Sequence, residues 1–111
     1  MINLPACTHV VIAEIDASIE DEWNKWYDEV HLPEALACPG VLAGRRYRAA
    51  NPASWTDHGA KPTCTHLTYL TLYELAGAEA LDTPEFQQMR GWYQFAPHIK
   101  SRSYVFVARE G

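Results

Sequence analysis

Only three cysteines occur in the 111 residues, Cys7, Cys38 and Cys64. An odd number with no CxxC pair argues against a disulfide framework or a structural zinc site, and reduced thiols in a cytoplasmic protein are expected. Basic residues are also scarce, nine Lys and Arg against fourteen Asp and Glu, for a formal net charge of -5. No basic field gathers phosphates, so neither nucleic acid nor an anionic membrane is an expected partner and a small molecule is. No apolar run exceeds strand length, and Met1 to Pro5 lacks the basic and apolar regions of a signal peptide, so neither membrane insertion nor export is expected. The five histidines, His9, His31, His58, His66 and His98, show no HxH or HExxH spacing. No metal is expected.

What is present is the composition of a folded protein, 48% hydrophobic and 12% aromatic, in a chain of one-domain length. Cys7 to Ile15 is rich in β-branched residues and reads as a strand. Ser18 ahead of Ile19-Glu20-Asp21 predicts a helix with a serine cap and acids in its first turn. On a helical wheel Ile19, Trp23, Trp26, Tyr27 and Val30 share one side, and Asp21, Glu22, Lys25, Asp28 and Glu29 the other. Pro33 predicts a stop or kink near His31, with another short turn to follow. Val41 to Arg48 reads as a second strand, in which Gly44 marks a bulge or a close backbone approach. Ala49 to Pro62 reads as a turn-rich loop long enough to be a lid.

Thr63 to Leu75 alternates as a third strand, with Leu67, Tyr69, Thr71 and Tyr73 on one face and His66, Thr68, Leu70 and Leu72 on the other. Asp82-Thr83-Pro84-Glu85 predicts a second helix carrying Phe86, Met89, Tyr93 and Ala96 on one face, and Ile99 to Arg109 a last strand. The order strand, helix, strand, strand, helix, strand predicts a single α+β domain over 1–111, a ferredoxin-like βαββαβ protomer with an antiparallel sheet. Apolar residues on both sheet faces predict that helices cover one and a second copy the other, making a homodimer.

Residues Trp26-Tyr27, His31-Leu32-Pro33, Pro39-Gly40-Val41 and Arg45-Arg46-Tyr47 form the pattern W-Y-x-x-x-H-L-P, P-G-V, R-R-Y. This pattern resembles that of EthD-like members of the dimeric α+β barrel superfamily. The resemblance implies a ferredoxin-like protomer, a barrel made with a second protomer, a pocket between sheet and helices, and His31 as a pocket residue. The superfamily spans cofactor-free monooxygenases, lactone isomerases, polyketide cyclases and haem-binding proteins, so fold alone does not choose a reaction.

His31 borders the apolar face of the first helix, where an imidazole could move a proton; the competing role is a cap on the last carbonyls before Pro33. If it ends the helix, the dipole and burial oppose, and titration within about one unit of 6.5 is expected. Tyr27 would orient the proton or donate to a developing oxyanion. Trp23, Tyr47, Tyr69, Phe86 and Trp92, with Tyr27, are candidates for an aromatic wall around a planar ligand, although singly such residues more often pack a core. Arg46 could fork onto a carboxylate or phenolate, or pair with a helix acid.

The sequence thus points to an acid/base enzyme of isomerase, cyclase or lyase type, using no cofactor, on a small aromatic, polyketide-like or lactone metabolite. The alternatives are oxygen chemistry on an electron-rich phenol, with or without haem, and a binding protein that turns nothing over.

Overall fold

The computed structural model describes residues 4–50 and 67–109. Strands β1 (Cys7–Ile15), β2 (Val41–Arg48), β3 (Leu67–Leu75) and β4 (Ile99–Val107) form one sheet in the order β2-β3-β1-β4, antiparallel at every pairing. This is the expected ferredoxin-like α+β sheet, with β4 stopping two residues short of Arg109. Most of the predicted lid loop, together with His58, Cys64 and His66, lies outside the described residues.

Registers of His9 with Tyr73, Gly44 with Tyr73 and Arg46 with Thr71 place those side chains on one face, the face that the helices cover. Gly44 serves a close approach: a Cβ there would stand 2.8 Å from Tyr73 Cδ1 and 3.1 Å from Leu36 Cδ2. The irregularity of β2 lies instead between Val41 and Ala43. Replacing Gly44 by alanine should displace the Tyr73 ring and cost about 1–3 kcal/mol in chemical denaturation. A variant as stable as the parent would show that β2 can retreat without loss.

The first helical segment differs from expectation in three ways. It opens with a tight turn, Ala17–Ile19, and α1 (Glu20–Trp26) has no side-chain cap, so Ser18 does not cap it. Pro33 does not stop it either. A π-helical turn at Tyr27–His31, in which Leu32 N–H bonds the Tyr27 carbonyl, leads directly into α2 (Leu32–Leu36) with Leu32 still helical. Proline has no N–H to place in the ladder, and the wider turn accommodates that loss. The extra residue in the turn also rotates the inner face: His31 is buried in place of Val30, which is exposed.

The second helix is shorter than predicted. In α3 (Pro84–Gln88) the Thr83 hydroxyl accepts the Phe86 N–H at 3.2 Å, the expected start, but the helix ends at Met89. Gly91 at φ 115° and Tyr93 at φ 53° turn the chain before a tight helical stretch, Tyr93–His98. Phe86, Met89 and Phe95 point inward, whereas Tyr93 and Ala96 are exposed. Thr83→Ala should cost about 1 kcal/mol, read as a lower melting temperature, because the cap bond is lost.

Two buried clusters result. Ala13, Ile15, Ile19, Trp23, Tyr27, Tyr69 and Phe95 fill one end, and residues that include Ala35, Val41, Tyr73, Leu75, Phe86 and Met89 fill the other. The candidate site lies at the seam between them.

Candidate functional site

A cavity of about 510 Å³ opens between the helix-covered face of β1, β3 and β4 and the segments that carry Tyr27, His31, Phe86 and Trp92. That volume is ordinary for a small-molecule site. Val11, Leu81, Phe86 and Met89 make its apolar wall, Ser101 and Ser103 of β4 add hydroxyls, and Gln87 and Arg90 stand among its polar lining. Among the described residues, no group of three His, Cys, Asp or Glu could hold a metal ion.

The π-helical turn puts His31 into this wall. Its ring stacks on Trp26 at 4.7 Å, meets Tyr27 edge-on at 4.8 Å and lies 5.7 Å from Trp92, all between ring centroids. His31 Nδ1 is buried without a hydrogen-bond partner. Burial, then the nearby Arg46 guanidinium, lower its pKa from the ordinary 6.5 to about 4. The helix continues through His31, so it caps nothing and gains nothing from a helix C-terminus, and the expected titration near 6.5 is corrected downward. His31 is a neutral imidazole at pH 7.

Tyr27 and Tyr73 meet hydroxyl to hydroxyl at 3.2 Å. Burial raises both phenol pKa values, against the Thr71 hydroxyl and Arg46 at Tyr27 and against Arg46 at Tyr73. Both hydroxyls therefore remain protonated at neutral pH, and since one donates to the other the pair has one O–H left to donate.

Four of the sequence-predicted site residues line the cavity: His31, Tyr27, Phe86 and Trp92. Trp92 also donates its Nε1–H to Ser101 Oγ at 2.9 Å, tying its segment to β4. Trp23, Tyr69 and Arg46 stand behind Tyr27 instead. The Arg46 guanidinium lies 4.1 Å from the Tyr27 ring centroid, 4.9 Å from that of Trp23 and 5.3 Å from that of Tyr69. Its two terminal nitrogens donate to Asp28 Oδ1 and Asn24 Oδ1, each at 2.8 Å. Both terminal nitrogens are engaged and Nε is buried without a partner, so Arg46 is a brace rather than a ligand anchor. The helix-acid pairing expected as its alternative is present, although the arginine side chain is only 10% exposed.

The Tyr69 hydroxyl accepts from Asn24 at 3.0 Å and donates to Glu20 at 2.6 Å, which leaves it no role in the cavity. Tyr47 points to the other sheet face, in register with Leu70 and beside Arg45. Strand parity decides this, since Arg46 faces the helices and its neighbour must face away. His98 lies outside the cavity, 3.0 Å from Asp16 Oδ2. Sequence reasoning missed Tyr73 and His9. Their parity on β3 and β1 was legible, but their partners are far away in the chain.

No family model matches the chain, and no curated protein matches it. Solved structures do. A dimeric ferredoxin-like protein from an uncultured marine organism is 13% identical at a TM-score of 0.66, over 97% of this chain and 91% of that one. SnoaB from Streptomyces nogalater, described as a cofactor-independent oxygenase, is 14% identical at 0.63 over 97% of each chain. An EthD family protein from Bacillus halodurans is 10% identical at 0.55, over 88% and 96%. At such identities the likeness is one of fold, and the chain shares the ferredoxin-like α+β fold of these proteins.

Proposed function

We propose that the chain is a cofactor-independent acid/base enzyme, of isomerase, cyclase or lyase type, acting on a small aromatic, polyketide-like or lactone metabolite. The carrying observation is His31: a neutral imidazole in an apolar cavity wall beside two protonated tyrosine hydroxyls. A substrate lying against Phe86 and Trp92 would present an acidic C–H or O–H to His31. The imidazole takes that proton, and the hydroxyl pair donates toward the oxygen on which negative charge collects. Return of the proton to another atom gives isomerisation, and loss of a leaving group gives elimination. Oxygenation is the second reading, favoured by the likeness to SnoaB, because an electron-rich anion formed in the same first step can react with dioxygen.

The test is a panel of bicyclic phenols and lactones offered to the parent and to His31→Asn, in deuterated water and under ¹⁸O₂. Deuterium incorporation or product formed by the parent and lost in the variant supports proton transfer. Label from ¹⁸O₂ in the product selects oxygenation. Tight binding with no product from either protein replaces the proposal with a binding protein.

A homodimer belongs to the same proposal. The sheet face away from the helices carries Ile12, Leu70 and Leu72, half-buried, and exposed Tyr47, Tyr104 and Phe106. Light scattering at micromolar concentration should report a dimer, and Tyr104→Glu with Phe106→Glu a monomer, because charges on that face oppose its burial. A parent that runs as a stable monomer removes the barrel.

A further inference from the structure

His9 stands in the middle of the sheet on β1, is 8% exposed, and lines the cavity. Its ring stacks on Tyr73 at 5.8 Å between centroids and meets Phe86 edge-on at 5.6 Å. Its Nδ1 is buried with no hydrogen-bond partner. A histidine kept only for packing would be expected to satisfy its ring nitrogens, and phenylalanine would fill the same space without a polar atom to desolvate. Burial lowers its pKa, and the charge of Arg90 acts the same way, while the Tyr104 backbone, close to the ring but outside hydrogen-bond geometry, opposes both. The ring is neutral, with one donor and one acceptor nitrogen, and since Nδ1 is enclosed it is Nε2 that is left for the cavity.

The arrangement is a row. His31 meets Tyr27 at 4.8 Å, the Tyr27 and Tyr73 hydroxyls meet at 3.2 Å, and Tyr73 stacks on His9. An imidazole therefore closes each end of the tyrosine pair, within one cavity. We propose that His9 is a second substrate-contacting side chain, which hydrogen-bonds a polar group at the end of the ligand away from His31 and so selects molecules polar at both ends. The proposal rests on the reading that the cavity takes small aromatic molecules. Phe86 meets the His9 ring edge-on, and the imidazole shares that lining with other polar groups, Gln87, Arg90 and Ser103, so the assignment is tested at His9 itself.

The experiment compares 2-naphthol with 2,6-dihydroxynaphthalene by titration calorimetry. The parent should bind the dihydroxy compound about tenfold more tightly, the worth of one neutral hydrogen bond. His9→Phe keeps the ring packing and should bring the ratio near one, while melting no lower than the parent. His9→Gln keeps a donor and an acceptor and should restore part of the preference, a readout that a packing role would not move. A preference that survives in His9→Phe, or one that is absent from a parent that binds both compounds, overturns the role of His9 and leaves the cavity reading intact. A parent that binds neither compound overturns the cavity reading and the role of His9 with it.

Discussion

Replacing His31 by phenylalanine should lower proton-transfer turnover by roughly 10²- to 10⁴-fold while leaving the chain at least as stable at pH 7. The two effects part company because the phenyl ring can keep the stacking on Trp26 and the edge contact with Tyr27, yet removes a buried nitrogen that has no partner. An unsatisfied buried polar atom costs about 1–3 kcal/mol, so its removal is favourable. Loss of activity with gained stability marks a residue kept for chemistry. A variant that keeps full turnover, or one that loses stability and activity together, would return His31 to a packing role.

The same residue sets two pH profiles. With the folded pKa near 4, kcat/KM should rise through that value and be level from about pH 5 upward, so a flat profile across neutral pH agrees with His31 as the base. An acid limb centred near 6.5 would place the titrating group elsewhere. For stability, the unfolded imidazole takes up its proton near 6.5 and the folded one only near 4. Above 6.5 both states are neutral and nothing is lost. As pH falls from 6.5 toward 4 the unfolded chain binds a proton that the native state refuses, and stability declines by up to about 3 kcal/mol before levelling. Denaturation midpoints for His31→Phe should lack most of that decline.

Replacing Arg46 by methionine should cost about 2–3 kcal/mol, a large effect for a residue outside the cavity. The guanidinium lies against three rings at once and makes two charge-assisted bonds from one fork, which methionine cannot reproduce. Asp28 is well exposed and rehydrates, so little of the loss comes from a stranded charge. Lysine keeps the charge but not the planar fork and should recover only part of the loss. Because Arg46 also lowers the proton affinity of His31, the acid limb of activity should move upward in the methionine variant. A stability change under about 0.5 kcal/mol would mean that the brace is dispensable.

The strands were legible because each is a local pattern. β1 and β2 have the predicted bounds, since β-branched content, Pro39-Gly40 and Asn51 mark their ends without reference to distant residues. Strand parity likewise put Tyr69, Thr71 and Tyr73 on one face. The helices were less legible. Pro33 was read by its local rule as a stop or a kink near His31 with a short turn to follow; the chain instead makes a π-helical turn there, which buries Tyr27 and His31, and runs on into α2 without a break. A local rule loses when tertiary packing offers more.

The element order, the ferredoxin-like topology, the amphipathic helix and the candidacy of Tyr27 and His31 were readable along the chain, because these follow from periodicity and from the residues on either side. What those residues can do depends on the folded arrangement. It turned Tyr47 to the other sheet face, enclosed Arg46 among three rings and joined Tyr27 to Tyr73 and Tyr73 to His9 across long stretches of chain. It also moved His31 from a presumed helix end to a buried wall, where desolvation replaces the helix dipole as the force that sets its charge.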